Sequence, residues 1–533
     1  MGSLLQDGAL TDKLSADLLA QTQPPPMSTH SVAAQIALPL LRTDTSPAYE
    51  ARIREAYTND GATSCEARIA LELKYASLLT PTDEFNRKLV SYQANKQARL
   101  HSWLKYKEGF SAQLVEILLN TFGIHPGQKV LEPFAGSATT LLVAKEYGID
   151  AVGIELLPVC HLAWGAKSRY RDYDVAELHQ VMKWIQQTPP GLSGTAFPHI
   201  TITESAFPPE QEARLMWYQE QFSNLPVGDL TRLLLRLVLM SVLEDISFTR
   251  KDGQYLRWDS RSAKAQARDT RRLRQNKQSF KKFDKGGILD VKEALITAFA
   301  DVIHDIEEMQ ENGERPSHQA LIEGTVLEIL PQLGGGQFDA VITSPPYCNR
   351  YDYTRTYALE LAFLGVDEAE VRNLRQELLS CTVENRSKLQ RLEAFYSSVS
   401  RESDFEKVIS RIESNAALQE VFTALQTRGT RGDLNNKGVI RMVEGYFIEL
   451  AFVIFELFRV CRGGAQVAIV NDNVRYGGEI IPVDMLMTDL AAGFGFSPKT
   501  IYVLPQRKGN SSQQMGKYGR EANRKSITVW LKN

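Results

Sequence analysis

The chain has 533 residues, of which 43% are apolar and 23% charged, with a formal net charge of −3. This balance is ordinary for a globular protein long enough to bury a large core, and it excludes a partner dictated by overall charge. No run of about 18 apolar residues occurs, so neither a transmembrane helix nor a membrane partner is expected, and the start lacks the basic-then-apolar pattern of a secretory leader. The five cysteines, Cys65, Cys160, Cys348, Cys381 and Cys461, lie far apart with no Cys-x-x-Cys or Cys/His cluster. Neither disulfides nor a metal site are expected, which fits a reducing cytoplasm.

Residues 1–60, which include Pro24-Pro25-Pro26, are rich in Gln, Thr, Ser, Ala and Pro and read as a mobile or loosely packed extension. From about 84 to 123 the pattern is helical, with Leu114, Val115, Leu118, Leu119 and Phe122 on one face, Ser111 as N-cap and Gly123 as stop. A strand at Lys129–Glu132, a turn at Pro133–Thr140, a helix from Leu141 to Tyr147 and a strand at Ala151–Glu155 make a βαβ unit. Residues 171–290 read as mainly helical and end in a basic run. A helix at about 289–312 follows, then strands at Gln319–Glu323 and Phe338–Thr343. Residues 366–437 form a polar, helix-like stretch, read as a clamp, lid or dimerisation element. A long apolar helix from Val439 to Val460 precedes a strand at Ala465–Val470, a further helix and two strands near Lys499–Leu504 and Ser526–Leu531.

The fold class expected is therefore α/β, with a mostly parallel sheet interrupted by two largely helical insertions. Its parts are the extension (1–60), the cofactor side (61–170), a basic insertion (171–290), the catalytic part (291–365), the second insertion (366–437) and a closing part (438–533).

A glycine turn between a strand and a helix brings backbone amides close to a ligand, and the helix start favours a negative group there. An acid ending the next strand can accept from ribose hydroxyls, and Gly136 and Glu155 stand 19 residues apart, close to the ~20 of that geometry. The tetrad Ser344-Pro345-Pro346-Tyr347 directly follows the second catalytic-part strand. Its prolines fix φ and remove two donors, so the loop presents a hydroxyl, a carbonyl and an aromatic face. Such a loop suits the amino group of a flat base, whose nitrogen is a poor nucleophile until hydrogen bonds to a hydroxyl and a carbonyl direct its lone pair.

The segment Leu131–Thr140 resembles the cofactor motif of amino-group DNA methyltransferases, and Phe338–Tyr347 resembles their catalytic motif. Trp103–Ser111, Val470-Asn471-Asp472-Asn473, Arg507-Lys508-Gly509-Asn510 and the closing Ser526–Trp530 strand are similar to further parts of that family. The resemblance implies a Rossmann-like methyltransferase domain that binds S-adenosyl-L-methionine. By it, Phe110, Glu132, Pro133, Phe134, Ala135, Gly136, Ser137 and Glu155 hold the cofactor, and Ser344, Pro345, Pro346 and Tyr347 carry catalysis on a flipped-out base. Three departures stand out. Glu132 replaces the usual Asp, Thr325 replaces an Asp that binds the adenine amino group, and Ala138 replaces a Gly, which implies a turn that closes without positive φ there. Cys348 does not match the Pro-Cys-Gln pattern of cytosine-C5 enzymes and reads as a packing residue.

The Ser-Pro-Pro-Tyr form resembles that of cytosine-N4 enzymes, with adenine-N6 as the alternative. An RNA-base or protein-glutamine methyltransferase, or a silent nucleic-acid-binding module, stands further off. Between Arg250 and Lys285 lie 13 Lys/Arg and 4 Asp/Glu with interleaved aromatics, the pattern of a phosphate-tracking surface. Arg257, Arg261, Lys264, Arg268, Arg271, Arg272, Arg274 and Lys277 are the expected contacts to double-stranded DNA. The implied setting is a prokaryotic cytoplasm, at the nucleoid, with a cognate restriction or defence nuclease as partner.

Overall fold

The apolar runs become strands in the order β1 (Leu79–Pro81), β2 (Lys129–Glu132), β3 (Asp150–Glu155), β4 (Thr249–Asp252), β5 (Tyr255–Trp258), β6 (Gln319–Glu323) and β7 (Phe338–Thr343). They continue with β8 (Cys461–Asp472), β9 (Val474–Tyr476), β10 (Glu479–Ile481), β11 (Phe496–Val503) and β12 (Lys525–Lys532). The computed structural model describes residues 47–57, 60–252, 255–311, 313, 315–505 and 523–533. Eight strands form one sheet in the order β1-β11-β12-β8-β7-β2-β3-β6, while β4/β5 and β9/β10 are separate hairpins. Every neighbouring pair in the large sheet is parallel except those made by β12, which runs antiparallel between β11 and β8.

This order places a switch point beside β2. The chain moves outward from β2 to β3 and β6, then returns to pair β7 on the other side of β2. In open α/β sheets a crevice forms at the carboxyl ends of strands where the order reverses, and ligands bind there. Alternation along the strands serves two helical layers. Val130, Ala340, Ile342, Ala468 and Val529 pack with the helices Ala112–Phe122 and Thr139–Tyr147. Leu131, Val341, Val467, Ile469 and Trp530 pack with Gly438–Val460 and Val483–Phe494. Among the described residues no helix is long and apolar enough to cross a membrane.

Ser111 caps its helix by accepting from the Leu114 amide (3.2 Å), and Gly123 ends it at φ +66°. Residues 84–111, expected to be helical, instead form turns and a short 3-10 segment at Tyr92–Gln97. The Asn86 carbonyl oxygen accepts from the Lys88 and Leu89 amides, and Asn95 bonds Phe110 O and Ala112 N, so side chains satisfy the backbone that a helix would have paired.

The extension reading through residue 46 lies outside the described residues. Its last part is a helix, Pro47–Tyr57, whose buried Tyr57 hydroxyl donates to Glu72 (2.9 Å). In the 171–290 stretch, Arg250 and Arg257 sit on the β4/β5 hairpin rather than on a helix. Thr249 and Lys251 are buried while Arg250 and Asp252 are exposed, a two-residue period that the basic run conceals. Residues 366–437 form four helices. Leu392, Tyr396, Val408, Ile412 and Leu418 join the core around Gly438–Val460, which is the packing of a third layer rather than of a detached lid.

Candidate functional site

The turn after β2 is built by its backbone. The Ala135 amide donates to Ile154 O (2.9 Å) and the Ala138 amide to Ala135 O (2.8 Å). Gly136 stands at φ +51°, and a Cβ there would lie 2.7 Å from the Tyr106 ring. Ala138 is at φ +62° and forms the N-cap of Thr139–Tyr147. The expected closure without positive φ is thus corrected: an alanine holds the left-handed conformation that glycine takes more easily, and the surrounding hydrogen bonds impose it. Replacing Ala138 by Gly relieves about 1–2 kcal/mol of backbone strain. It also loses a buried methyl worth about 0.8 kcal/mol and loosens the unfolded chain by about 0.4–1 kcal/mol. The expected result is a urea stability within about 1 kcal/mol of the parent, whereas Ala138→Val, branched at a buried left-handed position, should cost more than about 3 kcal/mol. Equal effects of the two substitutions would contradict this geometry.

Glu155 ties the turn to the next strand. One carboxylate oxygen accepts from the Gly136 amide (2.7 Å), the other from the Leu156 and Leu157 amides (2.8 Å each). Burial raises its pKa, opposed by these amides. Glu132 is buried as well and accepts from the Thr140 amide (3.3 Å). Burial holds its carboxyl well above the ordinary carboxylate range.

A pocket of about 710 Å³, open to solvent, lies at the carboxyl ends of β2, β3 and β7. Phe110, Glu132, Pro133, Phe134, Ala135, Gly136, Ser137 and Glu155 all line it, together with Ser344 and Pro346. The structure therefore brings the whole expected cofactor set to half of the tetrad. Pro345 and Tyr347 lie outside this lining; Tyr347 reaches it through a hydrogen bond from the Ser344 hydroxyl to its own (3.2 Å). Thr325 also lines the pocket, its hydroxyl donating to Glu377 O (3.2 Å). Cys348 is fully buried in the sheet core, and its carbonyl accepts from the Tyr476 hydroxyl (2.8 Å). The Arg507–Asn510 motif lies outside the described residues.

Sequence reasoning gave no individual role to many other lining residues, among them Tyr106 and Glu108, which fall within the Trp103–Ser111 motif, and Tyr353. The Tyr351 and Tyr357 hydroxyls both donate to the Glu108 carboxylate, and Tyr106 stacks on Tyr357 with centroids 5.0 Å apart. The aromatic run 351–357 was the available signal, but its partner lies some 250 positions earlier.

The basic residues divide into two groups. Arg261 is bound to Asp259 (2.8 and 2.9 Å) and Gly286 O (2.7 Å), Arg257 pairs with Asp252 (3.2 Å) over the Phe283 ring, and Lys264 contacts Thr201 O and Trp258. Arg261 draws the Asp259 carboxyl down to about 2. Lys264 stands in the first turn of the helix Ala263–Arg274, capped by Ser262, in which no residue is buried, and Arg268, Arg271, Arg272 and Arg274 follow along it. Arg268 and Arg272 flank the exposed Phe280 ring at 4.2 and 4.1 Å, and Lys277 is exposed just beyond the helix.

The fold and site define an α/β protein with a pocket at the switch point of a mostly parallel sheet and, elsewhere on its surface, an exposed cationic helix. No family model matches the chain. It is 51% identical over 467 residues, 87% of its length, to 92% of the type II methyltransferase M.BsoBI of Geobacillus stearothermophilus. It is 39% identical over 471 residues to the type II methyltransferase M.AvaI of a Nostoc species, again covering 92% of that relative. The chain belongs to the type II methyltransferase family.

Proposed function

We propose that this protein is a site-specific DNA methyltransferase that transfers a methyl group from S-adenosylmethionine to the exocyclic N4 of cytosine in double-stranded DNA, on a Rossmann-like sheet. The observation that carries the reading is the Ser344 hydroxyl in the wall of the pocket that also holds Glu132, Gly136 and Glu155. The residues present fit that cofactor. A buried carboxylate at Glu132 suits an amino-acid ammonium, and its raised pKa reflects a charge that burial disfavours. Glu155, at the end of β3, suits ribose hydroxyls, and the Gly136 backbone lets the Tyr106 ring pack against the turn where a side chain would clash. When bound, the cofactor supplies an electrophilic methyl group.

The chain's own residues do the rest. The Ser344 hydroxyl donates to Tyr347, which leaves its lone pairs to accept from the target amino group, and the Pro345 carbonyl is a second acceptor. Both bonds favour a pyramidal nitrogen whose lone pair faces the methyl, so the rate gain is one of positioning and electrostatics. Tyr347 offers a face on which an extruded base stacks. The exposed arginines track phosphates. A type II modification enzyme fits a setting with a cognate nuclease that reads the same site.

The test incubates the protein with labelled cofactor and duplex DNA, then digests and chromatographs the nucleosides. N4-methylcytosine is expected. N6-methyladenine would overturn the choice of base, and label confined to RNA would overturn the choice of nucleic acid.

Glu132 gives a second expectation. Below its raised pKa the carboxyl is neutral, so binding a cationic ligand must expel a proton. Affinity for the cofactor should rise with pH through the acid range, approaching about tenfold per unit, and level off above the Glu132 pKa. Glu132→Gln should bind more weakly with a flat profile. Calorimetry at several pH values, in buffers of different ionisation enthalpy, reads both quantities; an unchanged slope in the variant would remove Glu132 from this role.

A further inference from the structure

The polar chain at the tetrad does not end at Tyr347. The Lys525 ammonium lies 3.4 Å from the Tyr347 hydroxyl oxygen, to which it donates, and 4.8 Å from the centre of that ring. On its other side it pairs with Asp472 at 3.4 Å, directly across the β8/β12 ladder. Both side chains are largely buried, at 14% and 18% exposure. Burial opposes the lysine charge, but Asp472 and Tyr347 outweigh it and hold its pKa above the ordinary value. Position is fixed from behind: Arg524, the preceding residue, is bound by Asp484 (2.5 and 2.8 Å) and Glu72 (2.9 Å).

Strand parity brings these groups to one face. Ser344 follows Ala340 and Ile342 in alternation, while Lys525 and Asp472 share parity with Val529 and Val470, and all four apolar residues belong to the same core layer. Ser344 and Lys525 meet on the same phenol oxygen, at 3.2 and 3.4 Å from it. Ser344 faces the cofactor pocket, and Lys525 lies beyond Tyr347 and outside the pocket lining. An ammonium has three donors and no acceptor. Among the described residues Tyr347 accepts one of them, and Asp472 faces the ammonium as an ion-pair partner, which leaves a donor available.

We propose that Lys525 is a specificity-determining residue of this site, donating its remaining hydrogen bond to the ring carbonyl of a cytosine whose amino group is held by Ser344. The inference rests on the cytosine reading and deepens it. Cytosine carries its carbonyl meta to its amino group, so one ring edge can satisfy a hydroxyl acceptor and a cationic donor together. Adenine offers a C–H at the corresponding place and would leave a buried ammonium facing an apolar edge, which a polar site rejects strongly. The lysine thereby gives a physical reason for cytosine that the tetrad alone lacks, since both bases present an amino group.

The experiment first maps the modified position with the parent enzyme, then compares two duplexes. One carries cytosine at that position, the other an analogue that keeps the amino group but has hydrogen in place of the ring carbonyl. The parent enzyme should prefer cytosine on the order of 10- to 100-fold in kcat/KM. The paired variant Lys525→Met with Asp472→Asn, which leaves no unpartnered carboxylate, should bind cofactor normally and discriminate by less than about threefold. A merely structural lysine would lower both rates and preserve their ratio, and that outcome overturns the proposal. So does a parent enzyme indifferent to the carbonyl, a result that needs no variant to fold. If mapping instead yields N6-methyladenine, the cytosine reading itself fails, before either duplex is compared.

Discussion

Ser344→Ala is expected to lower single-turnover methylation by roughly 10²- to 10³-fold, the cost of removing one preorganised hydrogen-bonding group at a reacting centre. Cofactor affinity should stay within about twofold, because the cofactor-side polar groups, Glu132, Gly136 and Glu155, are untouched. The Ser344 side chain makes one hydrogen bond, to Tyr347, at the pocket wall, so little else depends on it. The residual rate would come from the Pro345 carbonyl and from proximity. Rapid-quench measurement of the first turnover separates this loss from slow product release. Full activity in the variant would show that the hydroxyl plays no part in directing the amino lone pair.

The second large effect concerns the exposed helix. Reversing Arg268, Arg271, Arg272 and Arg274 to Glu should weaken duplex binding on the order of 10²- to 10³-fold at moderate salt. It should also reduce the slope of log affinity against log salt by about 0.9 for each phosphate that is no longer neutralised. Thermal stability should change little, since no residue of that helix is buried. Arg261 makes the contrast. Its guanidinium holds Asp259 and the Gly286 carbonyl, so Arg261→Ala should disturb the base of the loop even without DNA. A quadruple reversal that left the salt slope unchanged would place the phosphate-binding surface elsewhere.

The strands around the switch point were legible because they are short apolar runs with nothing to compete: Gln319–Glu323 and Phe338–Thr343 fall where the hydrophobic pattern put them. The cap at Ser111 was legible for a similar reason, since a hydroxyl before an apolar face has one economical use. The expected cofactor part of the lining followed from a local motif, because one turn and the adjoining strand ends supply all of it except Phe110. What stayed hidden depends on long-range pairing. Residues 84–111 carry apolar side chains at helix-like spacing, yet Asn86 and Asn95 claim the backbone first. The conformation of Ala138 was hidden because sequence shows only that alanine resists positive φ, not that the hydrogen bonds around it overrule that preference. Lys525 reads as an ordinary charge opening a strand; only the antiparallel course of β12 carries it to a tyrosine 178 positions earlier.

Glu108 lines the pocket and at the same time receives the hydroxyls of Tyr351 and Tyr357, from the segment that leaves the tetrad. A ligand in the pocket would border the same carboxylate that anchors the segment leaving the tetrad. If binding at one place shifts that carboxylate and its tyrosines, the two equilibria share a free energy, and thermodynamic linkage makes that sharing reciprocal. If the cofactor tightens the protein's grip on DNA by some factor, DNA must tighten its grip on the cofactor by that same factor. Order of addition would then affect how quickly the ternary complex assembles but not how stable it is.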